Sequence, residues 1–397
     1  MSANANRKRG VQQTPAPLPN RETPMTPDAR HIARAAANYD QMPYTSHPFP
    51  LSQPARVGAI ARLFGLSPPD VKTARVLEIG CAGGGNIIPL AARFPNARFT
   101  GIDLSSVQIG AGRARIERHG LENIDLQAMS VTDFEGDDGA FDYIICHGVF
   151  SWVEASVREA ILAGMRHWLS PNGVAYLSYN VLPGWRMRMA LRDAMVLHAG
   201  AEGDPSHLVT RARWFVNFLS KHTHSASVWG QIYRHEANLL ANLPDDYIGH
   251  EFLEDVNEPM TFTAFAGLAA EHGLAYLGDA DVAAMIPENL DPATAVMLRE
   301  MCGGKALPVE QYMDVVTGRT FRQSLLVRED AAANISRTLV PERLMDMHLI
   351  ARADLRCAEA NGANVAYVDG AGRRLTTGHP AVVAALDGLI KRLPASS

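Results

Sequence analysis

Two carboxylates on either side of a glycine-rich bend carry the clearest chemistry in the sequence. The run Val76-Leu77-Glu78-Ile79-Gly80-Cys81-Ala82-Gly83-Gly84-Gly85-Asn86 reads as an apolar strand that delivers Glu78 to a turn, which then opens a helix. Glycines there let the backbone take positive φ and pass close to a ligand. Gly80, Cys81, Ala82 and Gly84 are therefore candidate ligand contacts. The second acid, Asp103, closes the run Gly101-Ile102-Asp103 and is followed by Leu104. At the tip of a second strand, such a side chain can accept both ribose hydroxyls of an adenosine.

The order of the bend separates nucleotide cofactors. A dinucleotide calls for G-x-G-x-x-G, with its pyrophosphate on the helix N-terminus. Here the order from Gly80 is G-C-A-G-G-G, so alanine stands third. Glu78 would repel a pyrophosphate and suits a cationic amino-acid group. S-adenosylmethionine (SAM) carries an ammonium and a sulfonium and no phosphate, so the motif favours SAM over NAD.

The elements that must position these residues alternate regularly. Strand-like runs cover Arg75–Ile79, Arg98–Asp103, Ile124–Met129, Phe141–Cys146 and Gly173–Ser178, with helical stretches at Asn86–Arg93, Ser106–His119 and Val157–Trp168. Short apolar strands alternating with helices predict an α/β fold, a parallel sheet with helices on both faces. From Arg186 the pattern turns helical. Strand-like character returns at Leu274–Leu277 and Phe321–Arg328 and completes a seven-stranded Rossmann-like sheet. The expected organisation is a disordered arm over 1–28, a SAM-binding core over 29–185 and a helical insertion over 186–259. Completion of the core over 260–329 follows, with a second insertion at 280–318, and then a small appendage over 330–397. In that appendage, Tyr367–Arg374 reads as a hairpin turning on Asp369-Gly370.

Composition narrows the classes. The 397 residues are 47% hydrophobic and 20% charged, with net charge −5, so no nucleic-acid partner is indicated. Cys81, Cys146, Cys302 and Cys357 form no CxxC pair, which argues against a disulfide scaffold and suits a reducing, cytoplasmic setting. The start lacks the apolar run of a secretory signal, and no stretch is long and apolar enough to predict a membrane span. His222 and His224 lack further ligands nearby, so no metal is expected. The sequence does not specify an oligomeric state.

On these residues the chain resembles class I methyltransferases. More narrowly, it resembles the bacterial group with a methyltransferase regulatory domain, which includes rickettsial protein-lysine methyltransferases. The matching segments are Tyr39-Asp40 with Pro43-Tyr44, Leu77–Ala82, Cys146–Val153, Tyr179–Trp185, His250–Pro259 and Gly318–Leu326. The resemblance implies SAM as methyl donor and S-adenosylhomocysteine as product. It places Ser130 at the exocyclic amine of adenine and the Val131 backbone N–H at a ring nitrogen, unless Ser130 simply caps a turn. Gly83 stands where the rickettsial enzymes are expected to carry serine. Longer members continue past the Leu375–Pro380 stretch, so a reduced substrate-handling part is expected.

Methyl transfer needs a positioned nucleophile and exclusion of water. An amine must also lose a proton. His147, just past the fourth strand, can orient or deprotonate the nucleophile and touch the cofactor, or else sits bonded within its turn. Tyr44 can cover the methyl group from its Pro-rich loop, or merely pack there. Tyr179 and Asn180 follow strand five and can line the acceptor pocket, with a helix cap as the other reading of Asn180. Trp185 is an aromatic wall or core. Tyr247, His250 and Glu251 belong to a segment that folds over the site, or to a solvated acidic face. The acceptor is a protein lysine on the family resemblance. A small-molecule O-, N- or S-acceptor and a SAM-binding module without turnover are the alternatives.

Overall fold

The structure is a computed structural model. It describes residue 34 and residues 36–392, apart from 201–202, 345–346, 349–353, 363, 371 and 373. The expected arm over 1–28 lies outside the described residues.

Five strands form the parallel part of the sheet: β1 (Arg75–Ile79), β2 (Arg98–Asp103), β3 (Ile124–Ala128), β4 (Phe141–Cys146) and β5 (Leu169–Asn180). Between and before them run α1 (Pro54–Leu63), α2 (Ile87–Arg93), α3 (Ser106–His119) and α4 (Ala155–Trp168). Two of these helix starts have a local cause. Pro54 opens α1 at a position where the missing N–H costs nothing, and the Ser105 side chain accepts from the Gln108 N–H to cap α3. Gly120 in the left-handed region stops α3.

Alternation along the strands sends side chains into two cores. Val76, Tyr143, Ile145, Tyr176 and Leu325 pack with Val57, Ile60, Ile87 and Leu90 on one face. Leu77, Ile144, Leu177 and Leu326 pack with Ile161, Leu162 and Met165 on the other. Burial on both faces explains why these strands are apolar runs rather than alternating ones.

Four helices follow β5: α5 (Trp185–Ala199), α6 (Pro205–His222), α7 (Val228–Leu240) and α8 (Asp245–Phe252). They enclose a core of their own from Leu191, Met195, Val209, Ala212, Val216, Leu240, Ile248 and Phe252. Then come α9 (Phe262–Glu271), β6 (Leu274–Asp279), α10 (Pro292–Met301), α11 (Ala306–Thr317) and β7 (Phe321–Arg328). The seven strands order as β3-β2-β1-β4-β5-β7-β6.

The seven-stranded Rossmann-like sheet is the one expected, parallel through its first five strands and mixed once the last two join it. β7 runs antiparallel between β5 and β6, pairing Asn180 with Phe321 and Asp279 with Ser324. The segment between β6 and β7 begins and ends at the same end of the sheet, so β7 runs back alongside β6. A buried ionic cluster fixes that return. Arg322 donates from Nε and Nη2 to the Asp314 carboxylate at 2.7 and 3.0 Å and from Nη1 to Glu310 at 3.0 Å. Its guanidinium lies 3.9 Å from the Phe262 ring centroid.

The C-terminal part holds a three-stranded antiparallel sheet, β8 (Arg356–Asn361), β9 (Asn364–Val368) and β10 (Arg374–Thr377), with α12 (Pro380–Ile390). β9 and β10 form a hairpin, and Asp369-Gly370 lies in its connection. The Tyr367 hydroxyl donates to Asp387 at 2.8 Å and ties the hairpin to α12. No helix among the described residues is long and apolar enough to cross a membrane.

Candidate active site

The C-terminal edge of the parallel strands opens into a cavity of about 510 Å³. Open α/β sheets bind ligands at this edge. β1 brings Glu78, β2 brings Asp103, the turn after β4 brings His147, and β5 ends on Asn180; all four line the cavity. So do Gly80, Cys81, Ala82, Leu104, Ser130 and Val131. Gly84 does not. Its role is conformational, with φ +76° and the Ile88 side chain 2.7 Å from where a Cβ would sit.

The bend is held by its own acids. Asp103 accepts from the Ala82 N–H at 2.8 Å and from the Ser105 N–H at 2.9 Å. This latches Ala82 at φ +48°, a conformation that side chains rarely adopt. Burial pushes the Asp103 carboxyl up, against those two hydrogen bonds. Glu78 accepts from Asn86 Nδ2 at 2.8 Å through one oxygen. Its other oxygen is buried with no partner among the described residues. Burial pushes the Glu78 carboxyl up to about 8, with Asp103 adding to the effect and Asn86 opposing it.

An orphaned buried carboxylate oxygen on a cavity wall is costly until a cation or donor meets it. The ammonium of SAM is such a group, and Asp103 at the neighbouring strand tip suits its ribose. The residues present therefore fit SAM: Glu78 offers a buried acceptor without a partner, Asp103 a second carboxylate at the neighbouring strand tip, and Ser130 and Val131 line the same cavity. Ser130 also caps the short turn after β3 by accepting from the Thr132 N–H at 3.2 Å.

His147 is locked rather than poised. Its Nδ1 lies 2.8 Å from the Tyr176 hydroxyl, and its ring stacks on Phe49 at 3.7 Å. Burial holds its pKa down to about 4, so the imidazole is neutral across the physiological range. Asn180 is no helix cap. Its N–H donates to Ser151 Oγ at 2.8 Å, and its side chain donates to Asn257 at 3.2 Å. Tyr179 corrects the sequence reading: it is fully buried and stacks on Phe265 at 4.1 Å, away from the cavity. Successive strand residues face opposite ways, so Asn180 enters the site and Tyr179 the core.

A cap and the helical insertion close the far end. Residues 36–41 are helical, and the chain then continues without regular secondary structure to Phe49. Asp40 accepts from Ser105 Oγ at 2.6 Å, Ser46 Oγ accepts from the Gly85 N–H at 2.8 Å, and Asn86 Oδ1 accepts from the Phe49 N–H at 2.9 Å. A Cβ at Gly85 would sit 2.3 Å from the Ser46 carbonyl oxygen, which explains that glycine. On α8, Ile248 and Phe252 turn into the insertion core, while Tyr247, His250 and Glu251 line the cavity. Tyr44 meets His250 edge-on at 6.0 Å, and Tyr39 stacks on it at 4.4 Å. Trp185 is both wall and core: it lines the cavity yet is 1% exposed.

Sequence reasoning missed several lining residues. Asn86, Trp152 and Tyr39 lay within or beside its motifs. Arg188 carried no signal beyond its i, i+3 spacing from Trp185 on α5.

Comparison with known proteins agrees with this geometry. A family model described as "Methyltransferase domain" matches residues 76–173, and one described as "Predicted methyltransferase regulatory domain" matches residues 244–328. The second match runs from α8 through β7, so it takes in both the cavity helix and the last two strands of the sheet. Protein RP789 of Rickettsia prowazekii is 39% identical over 297 residues, which is 75% of this chain and 53% of that protein. The chain thus spans about half the length of that relative. Protein RP028 of the same organism is 35% identical over 229 residues, 57% of this chain and 92% of that protein. The structure of PKMT2 from Rickettsia typhi in complex with AdoHcy superposes with a TM-score of 0.75 at 32% identity, covering 88% of this chain and 68% of that one. Fold, cofactor crevice and relatives agree: the chain belongs to the class I SAM-dependent methyltransferases that carry the methyltransferase regulatory domain.

Proposed function

We propose that this chain transfers the methyl group of SAM to the side-chain amine of a protein lysine. The observation that carries the reading is the lining of the cavity beyond the cofactor residues. Glu154, Glu251, Glu254 and Asp255 stand there with Tyr44, Trp152, Trp185 and Tyr247. Carboxylates beside aromatic faces attract a cationic amine. The likeness to PKMT2, a protein lysine methyltransferase, supports the same acceptor.

SAM, when bound, supplies an electrophilic methyl group on a sulfonium. The protein's share is placement. Glu78 and Asp103 hold the amino-acid and ribose ends. The cap over residues 39–50 and α8 exclude water. The aromatic walls orient the incoming side chain.

The test supplies methyl-labelled SAM and the full chain to a bacterial lysate, then separates protein from metabolites. Methyl-lysine in hydrolysed protein is expected. Label confined to metabolites would replace this acceptor with a small molecule. Absence of label despite SAM binding would leave a binding module without turnover.

A further inference from the structure

Among the acids of the cavity, one has the setting of a proton acceptor. Glu254 is engaged by His250 Nδ1 at 2.9 Å, Asp255 by Arg34 at 3.1 Å, and Glu154, just before α4, also has a partner of its own. Asp103 is latched by two backbone N–H groups, and Glu78 is bonded to Asn86 at the amino-acid end. Glu251 differs. It projects from α8 into the cavity, and among the described residues no protein hydrogen bond engages its carboxylate. The opposite charge acting on it is Arg188 of α5. That guanidinium is shared, since it lies 3.8 Å from the Glu236 carboxylate and also interacts with the Tyr247 hydroxyl.

We propose that Glu251 is the catalytic base that takes the proton from the acceptor ammonium before methyl transfer; this rests on the lysine reading above. The acceptor enters as an ammonium and pairs with the Glu251 carboxylate. One N–H bond breaks, its electron pair stays on nitrogen, and the proton forms an O–H bond on Glu251. The freed lone pair then forms the N–C bond as the C–S bond breaks, leaving its electron pair on sulfur. The methylated ammonium and a neutral thioether are the products, so charge and atoms balance.

The surroundings suit the task. Tyr39 and Tyr44 of the cap, Tyr247 of α8 and Arg188 of α5 are the titratable groups acting on Glu251, while Glu254, Asp255, Arg34 and His250 line the same cavity further along. Burial pushes the Glu251 carboxyl up to about 7, with Arg188 opposing the rise. A base poised near the working pH is the efficient one. His147, held neutral and stacked under Phe49, lacks this freedom.

The experiment compares the full chain with Glu251→Gln and Glu251→Asp. It measures S-adenosylhomocysteine binding by calorimetry and methyl transfer to lysate protein between about pH 6 and pH 10. Glu251→Gln should keep S-adenosylhomocysteine affinity within about threefold and lose about 10²–10⁴-fold in kcat. Its residual rate should climb with pH as solvent takes over deprotonation, with Glu251→Asp falling between the two. If wild type labels lysine and Glu251→Gln keeps kcat within about threefold, or raises KM alone, Glu251 is not the base and the lysine reading stands. If wild type labels oxygen or sulfur acceptors alone, the lysine reading and the base assignment fall together.

Discussion

Asp246 and Thr45 lie 201 positions apart and meet twice: one Asp246 oxygen accepts from the Thr45 N–H at 2.9 Å and from its hydroxyl at 2.7 Å. This is the clasp between the cap and the helical insertion. The two segments that close the cavity hold each other as well as the core.

Asp246→Ala should therefore loosen the cap. The pair is exposed, so the loss is about 1 kcal/mol, seen as roughly fivefold weaker S-adenosylhomocysteine binding by calorimetry. Burial works against the Asp246 carboxylate, but the Thr45 bonds overcome it and hold its pKa below the usual range. A depressed carboxylate pKa contributes stability above the unfolded value, and that stability is lost as pH falls through the folded one. The clasp is thus intact at neutral pH and opens in acid. Unchanged affinity in the variant would remove the clasp from ligand binding.

Glu78 gives the opposite pH signature. Its folded pKa, about 8, is above its ordinary carboxylate value. The folded chain then binds more protons than the unfolded one between those two values, so stability without cofactor falls as pH rises through that window. Glu78→Gln should flatten this slope in thermal melts, raise Tm near pH 8 and weaken SAM binding. A variant with the parental slope would show that Glu78 is already satisfied in the fold.

Asp103→Ala should weaken SAM binding by about 1–3 kcal/mol, the loss of a charge-assisted hydrogen bond. It also frees the Ala82 and Ser105 N–H groups, so the bend loosens with it. Titration calorimetry with unchanged affinity would remove the ribose assignment.

His147→Gln should leave the shape of the pH–rate profile above about pH 6 unchanged, because an imidazole titrating near 4 is neutral throughout. A lost or displaced limb near neutrality would restore it as the base.

Arg322→Met should destabilise the fold by about 3–5 kcal/mol, read from denaturant melts. It leaves Glu310 buried without its cation, and Asp314 and Asp279 with Arg319 as their remaining ion-pair partner. A loss below about 1 kcal/mol would mean that those acids simply take up protons.

The sequence determined this protein's local structure and its cofactor crevice. Strand period and flanking glycines placed β1, β4 and β7 within a residue or so, and the bend between Glu78 and Asn86 distinguished SAM from a dinucleotide, because that information lies within a few neighbouring residues. Tertiary structure decided what depends on distant segments meeting. The antiparallel course of β7 follows from the 280–318 segment returning the chain to the end of the sheet where β6 finishes, beside β5. Tyr179 and Asn180 part company according to the last residue of β5. The charge states of Glu251 and His147 follow from burial, which a chain pattern does not carry. The far walls of the cavity come from the cap, α5 and α8, brought together by pairs such as Thr45–Asp246 whose partners no local rule connects.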